Sequence, residues 1–146
     1  MKTEFARSRD ESRVKQLLAE CQLPFEDITP SHLQHFLVAR QETRLTGVIG
    51  LEFLGTFALL RSLAVGKPFR GQGIASWLTK HVEDYAHTCE IEHLYLLTTT
   101  AESFFAKRGY EIMDRNRVPT AVQETTEFQS ICPATAVCMF KVLKIS

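Results

Sequence analysis

The chain reads as an α/β protein: a central twisted mixed sheet of about six to seven strands with helices on both faces. Three observations predict this. Short apolar strand runs alternate with helical periodicities along the 146 residues. The run FALLRSLAV (57–65) is apolar on both faces, as a central strand covered by helices must be. Strand, glycine-rich loop, long helix and strand then follow one another over 57–98, a βαβ crossover whose two strands lie parallel.

The elements follow in order. KTEFARS is a short alternating strand. From Asp10, Val14, Leu17, Leu18 and Cys21 fall at i, i+3, i+4 and i+7, which predicts a helix. LPFEDITPSHLQ is a loop with one helical turn, capped by Thr29 with Pro30 at its first position. FLVAR (36–40) and GVIGLEFLG (47–55) are strands joined by a polar connection. Gly55-Thr56 turns the chain into the strand 57–65, completing an antiparallel meander. Ile74, Trp77, Leu78, His81, Val82, Tyr85 and Ala86 mark the apolar face of a long helix, and HLYLLT (93–98) is the next strand. Thr99 with Glu102 has capping-box spacing for a short helix carrying Phe104 and Phe105, which Gly109 stops. YEIMDR (110–115) and AVCMFKVL (136–143) close the sheet, with one helical turn starting at Pro119 between them.

Composition narrows the function classes. Lys plus Arg and Asp plus Glu balance at 17 each, which argues against a nucleic-acid binder or a membrane-surface protein. The start MKTEFARSRDESR has no apolar signal core, and the apolar run 57–65 carries Arg61 in its middle, so a cytoplasmic location is expected. Cys21, Cys89, Cys132 and Cys138 are widely spaced, which fits reduced thiols rather than a zinc site or a disulfide framework. No metal is expected.

GKPFRGQGIAS (66–76) carries the chemistry. A dinucleotide fold needs a third glycine or alanine where Ser76 stands, plus an acidic residue ending the next strand, which instead ends in threonines. A P-loop needs Gly-Lys-Ser or Gly-Lys-Thr, which does not occur. A backbone pyrophosphate cradle fits: Gly71 and Gly73 remove side chains at a strand-to-helix turn, and the N–H groups of 71–76 can face an anion beside Arg70. The bland alternative is a tight strand–helix connection.

The run LAVGKPFRGQGIA resembles the acetyl-CoA segment of the GNAT (GCN5-related N-acetyltransferase) superfamily, Q/R-x-x-G-x-G/A, with Arg70, Gly73 and Ala75 in its fixed places. TTTAESFFAKRGY resembles the family's later segment, with Ala101, Gly109 and Tyr110 matching. The resemblance covers most of the chain and implies one GNAT domain over 1–146. It implies acetyl-CoA as co-substrate and transfer of its acetyl group to a primary amine of a small molecule by direct attack in a ternary complex. It also implies that the backbone of Leu63, Ala64 and Val65 pairs with the pantetheine arm. Amides of Gly71, Gln72, Gly73, Ile74, Ala75 and Ser76 would then hold the pyrophosphate, with Arg70 and Lys67 near the 3′-phosphate. Thr98 and Phe105 fall at the places of the family's asparagine and tyrosine near the thioester, and a phenyl ring cannot protonate a thiolate. Water, Tyr110 or Cys132 are the substitutes.

Glu52 is the best carboxylate for a general base, an acid in an otherwise apolar strand, with Glu127 second and more readily read as a surface charge. Arg61 either binds a carboxylate on the acceptor or pairs internally with Glu52 across the hairpin. His32 and His35 border the expected acceptor side, whereas His81 belongs to helix packing. Several runs, among them LLRSLAV, YLLTTTAESFF and CPATAVCM, resemble a GNAT branch found in bacterial arsenic-resistance operons, which would make the acceptor an amino-acid-like or arsenic-containing amine. A homodimer is compatible with this reading. The rival is a GNAT-fold acyl-CoA-binding module that regulates a partner without turnover.

Overall fold

A computed structural model describes residues 1–131 and 135–143. Its elements are β1 (Lys2–Phe5), α1 (Glu11–Glu20), α2 (Pro30–Leu33), β2 (Phe36–Gln41), β3 (Arg44–Leu54), β4 (Phe57–Val65) and α3 (Ile74–Thr88). They continue with β5 (His93–Thr98), α4 (Glu102–Ala106), β6 (Glu111–Ile112), α5 (Thr120–Gln123) and β7 (Val137–Val142). The seven strands form one mixed sheet in the order β1-β2-β3-β4-β5-β7-β6. β1 to β3 pair antiparallel, β4 and β5 pair parallel, and β7 runs antiparallel between β5 and β6. The parallel pair is the expected crossover. The insertion of β7 inside β6 was not legible, because chain order alone does not say which edge a closing strand takes.

Contacts gather the chain into two compact units, Met1–Glu52 with Arg61–Tyr85, and Phe53–Leu60 with Ala86–Ser146. In the first unit the sheet is covered on both faces. Val14, Leu17 and Leu18 of α1 pack with Phe36, Val38 and Val48 in one buried cluster. Neighbouring residues of a strand point to opposite faces, so Gly47 looks the other way. A Cβ placed there would lie 3.0 Å from Leu78 and 3.1 Å from Ile74 of α3. Gly50, paired in register with Phe36, leaves room for that ring: a Cβ would come within 2.3 Å of it. Close packing of α3 on Gly47 and of the Phe36 ring on Gly50 therefore selects glycine at both.

In the second unit, Leu59, Tyr95, Val118, Val122, Phe128 and Cys138 form the core, with Tyr95 stacked on Phe140. Burial pushes the Cys138 thiol up to about 11, so it is a packing group rather than a nucleophile. No helix among the described residues is long and apolar enough to cross a membrane.

Local departures from the sequence reading have identifiable causes. β3 starts at Arg44, earlier than expected, because buried Thr46 satisfies its hydroxyl on the Ala39 carbonyl at 3.1 Å and so tolerates a strand interior. The short helix α4 is not closed by a Thr99–Glu102 box. The Thr98 hydroxyl accepts the Ala101 N–H instead, at 2.9 Å. Trp77 is 44% exposed rather than in the core, its indole N–H donating to the Thr3 hydroxyl at 2.7 Å. The strand expected over 110–115 shrinks to Glu111–Ile112, since Asp114 caps a turn by accepting the Asn116 N–H at 2.9 Å. Glu127, expected as a surface charge, is buried in the π-helical turn Glu127–Ile131. Cys132 lies outside the described residues.

Candidate active site

Strand β4 supplies one half of the site and turns directly into the other. Its ladder to β5 covers Phe57, Ala58 and Leu59, the first third of the strand. Three residues on, Ser62 is buried with φ +62°, a left-handed conformation costly for a residue with a side chain. Such a conformation kinks the strand. The kink places the Ser62 hydroxyl to accept from Arg61 Nε at 3.0 Å. Leu63–Val65 then lead into Lys67–Phe69, a single 3₁₀ turn, and the glycine loop.

Gly71 and Gly73 both adopt the left-handed region, with φ +81° and +83°, and a Cβ at either would meet nothing within 4 Å. Backbone conformation, not crowding, requires glycine here. The loop opens into the 15-residue α3, and the Trp77 N–H donates back to the Gly73 carbonyl at 3.0 Å. Helix geometry leaves the preceding N–H groups without partners inside the helix and gathers partial positive charge at that end. An anion of pyrophosphate type fits this cradle. Arg70 is turned back: its Nε donates to the Val65 carbonyl at 3.0 Å, and its Nη2 lies 3.4 Å from Cys21 Sγ. Gln72 accepts from the Gln41 amide at 3.1 Å, which ties the loop to the end of β2.

The second feature is a charged cluster around Arg61, whose side chain has 0% exposure. Its guanidinium grips Asp27 in a two-pronged pair, Nη1 to Oδ2 at 2.6 Å and Nη2 to Oδ1 at 2.8 Å. Nη1 also donates to Glu52 Oε1 at 2.6 Å. The cross-hairpin pair expected from the sequence is therefore present, and Asp27 joins it. With Nε on Ser62, every nitrogen of Arg61 already has a protein partner. A buried guanidinium needs such saturation, since an unpaired one is too costly. The signal for Asp27 was indirect: one carboxylate cannot engage both prongs of the fork and a third partner, but nothing in LPFEDITP singles out which acid completes it.

Glu52 and Asp27 are 16% and 13% exposed, so both carboxylates reach the surface of the cluster. Burial pushes Asp27 upward, but the Arg61 hydrogen bond and charge, with a contribution from His32, outweigh it and hold the carboxyl below its usual value. A depressed folded value means stability that is present above the unfolded pKa of about 3.9 and lost as pH falls through the folded one. Asp10, held low by Arg40 against its own burial, acts in the same window. Urea midpoints measured from pH 7 to pH 2 should hold near neutrality and fall below about pH 4. Asp27→Asn should flatten that fall, and an unchanged slope would contradict the pairing.

His32 Nε2 lies 4.0 Å from Glu52 Oε1. His35 bonds instead to the Tyr85 hydroxyl through Nδ1 at 2.8 Å, and burial lowers its pKa. Asp27, His32 and Glu52 bring three ligand-type atoms within 4.8 Å of one another, but a cation there would compete with the Arg61 guanidinium for both carboxylates. In the second unit, Phe105 is buried with its ring edge-on to Tyr110 at 5.3 Å, and Tyr110 is itself buried.

A family model described as "Acetyltransferase (GNAT) family" matches residues 3–111. No curated protein sequence matches the chain. Among solved structures, the Mycobacterium tuberculosis protein Rv2747, in complex with CoA and NLQ, superposes with a TM-score of 0.85 at 20% identity, covering 99% of this chain and 100% of its own. Tetrahymena GCN5 superposes with a TM-score of 0.77 at 16% identity, covering 100% of this chain and 98% of its own. N-acetylglutamate synthase from Neisseria gonorrhoeae, complexed with CoA and L-arginine, has a TM-score of 0.81 at 20% identity. The match covers 97% of this chain and 33% of the synthase, so the chain spans about a third of that relative's length. At these identities the superpositions establish the fold.

Proposed function

Because the chain belongs to the GNAT acetyltransferase family, whose members use acetyl-CoA as co-substrate, we propose that it moves the acetyl group of acetyl-CoA onto a primary amine of a small molecule. The observation that carries this reading is the Gly71–Gly73 cradle at the start of α3, opening onto free space directly after β4. In the proposal, the amides of Gly71, Gln72, Gly73, Ile74, Ala75 and Ser76 hold the pyrophosphate of CoA. The backbone of Leu63, Ala64 and Val65 lies along the pantetheine arm as strand pairs with strand. Arg70 contributes its charge at the loop. Phe105 has a phenyl ring and cannot protonate the departing thiolate.

The amine nitrogen attacks the thioester carbonyl carbon; the C–N bond forms and the C–S bond breaks. Glu52 takes the proton lost by nitrogen, and the departing thiolate takes one from solvent water. Positioning supplies most of the acceleration and the base adds a few orders of magnitude. Two carboxylates against one guanidinium leave the cluster around Arg61 one negative charge, which draws in a protonated amine. An acidic amino-acid-like acceptor would suit Arg61, the alternative to its internal pair with Glu52. With the guanidinium saturated, such an acceptor would need another anchor.

Glu52→Gln should lower kcat by about 10²–10³-fold while leaving the acetyl-CoA Kd within about twofold, measured by thiol release and calorimetry. A variant with full kcat would remove Glu52 from the base role.

A further inference from the structure

The carboxylate assigned as base has a neighbour whose neutral tautomer the backbone sets. Thr29 caps α2, and His32 is the third residue of that turn. The Thr29 backbone N–H donates to His32 Nδ1 at 2.9 Å, with the Thr29 hydroxyl at 3.0 Å from the same nitrogen. An N–H pointed at Nδ1 requires a lone pair there, so neutral His32 carries its proton on Nε2. That nitrogen faces Glu52 Oε1 at 4.0 Å. The same oxygen accepts from Arg61 Nη1 at 2.6 Å, so both donors converge on Oε1, and Oε2 is the oxygen left to take a proton from a substrate.

We infer that His32 is a positioning residue for Glu52: its Nε2–H, locked by the Thr29 cap, helps hold Oε1 and so fixes the carboxylate with Oε2 turned to the acceptor. The inference rests on the acetyltransferase reading for its kinetic consequence, but not for its geometry. At 4.0 Å the contact lies outside hydrogen-bond range, and contacts of this type shorten when substrate closes a site. Among the described residues, the charged or titratable groups facing Glu52 are Arg61 from β4, Asp27 from the segment before α2, and His32 from α2 itself. The first two already pair with each other in two prongs, which leaves His32 as the adjustable member.

The test compares the whole chain with His32→Ala and His32→Gln, the latter restoring an N–H donor without a titrating ring. Two readouts are taken: kcat and the KM for acetyl-CoA by thiol release, and the place of the proton on the neutral His32 ring by nitrogen-15 NMR of the parent without ligands. The ring should carry its proton on Nε2 and leave Nδ1 to accept the Thr29 N–H. His32→Ala should lower kcat about tenfold with the KM for acetyl-CoA unchanged, and His32→Gln should recover most of the loss. A ring protonated on Nδ1, or full kcat in His32→Ala, overturns the inference. A ring protonated on Nε2 in a protein showing no turnover keeps the Thr29–His32 geometry and rejects the acetyltransferase reading instead.

Discussion

Gly73→Asp is expected to abolish acetyl-CoA binding, weakening it at least about a hundredfold in calorimetry, while the protein stays folded. Two physical effects separate cleanly at this position. Gly73 has φ +83°, so any side chain costs about 1–2 kcal/mol of backbone strain. A Cβ there meets nothing within 4 Å, so the side chain starts in open space, at the place the pyrophosphate is proposed to fill. A carboxylate in that place sets like charges against each other in front of the helix dipole. Gly73→Ala is the control, since it carries the strain without the charge. It should lose stability by a similar amount and retain more affinity than the aspartate. Equal loss of binding in the two would assign the effect to loop conformation alone.

Arg61→Met is expected to destabilise the fold by about 3–5 kcal/mol, measured as a drop in urea midpoint at pH 7. Removing a fully buried guanidinium leaves Asp27 and Glu52 facing one another without the cation that both contact at 2.6 Å. It also removes the partner of the Ser62 hydroxyl at the strained φ +62° position. Most of the loss is unpaired charge, so the triple variant Arg61→Met, Asp27→Asn, Glu52→Gln should regain a large part of it. A single variant as stable as the parent would show that the cluster is not structural.

Much of this architecture was legible in the sequence where a local rule acts alone. The periodicity of Val14, Leu17 and Leu18 gives α1, and all three are buried. Thr29-Pro30 announces α2, and the cap forms as expected. The two-sided apolar character of 57–65 and the crossover after it place β4 beside β5 in parallel. Glycines 71 and 73 marked the strand-to-helix turn, and the loop there puts both in the left-handed region.

What stayed illegible depends on partners distant in sequence. Ser62 is not a residue type that favours positive φ, and its kink follows from tertiary constraint on the strand. Asp27 reaches Arg61 across 34 positions, and no spacing rule predicts such a pair. Glu127 looked like a loop charge because its segment is polar, whereas the fold buries it. The tautomer of His32 is set by a backbone N–H, visible only once the turn has closed.

The central claim is that the loop holds acetyl-CoA so that an amine can take its acetyl group. The most direct measurement is release of free CoA thiol when the protein is incubated with acetyl-CoA and a broad panel of primary amines, with mass spectrometry of the products. The account predicts amine-dependent thiol release with one acetyl group added to the accepting amine, strongest for cationic amines. Tight acetyl-CoA binding with no amine-dependent release on any member of the panel would contradict it, and would favour a binding module that regulates a partner.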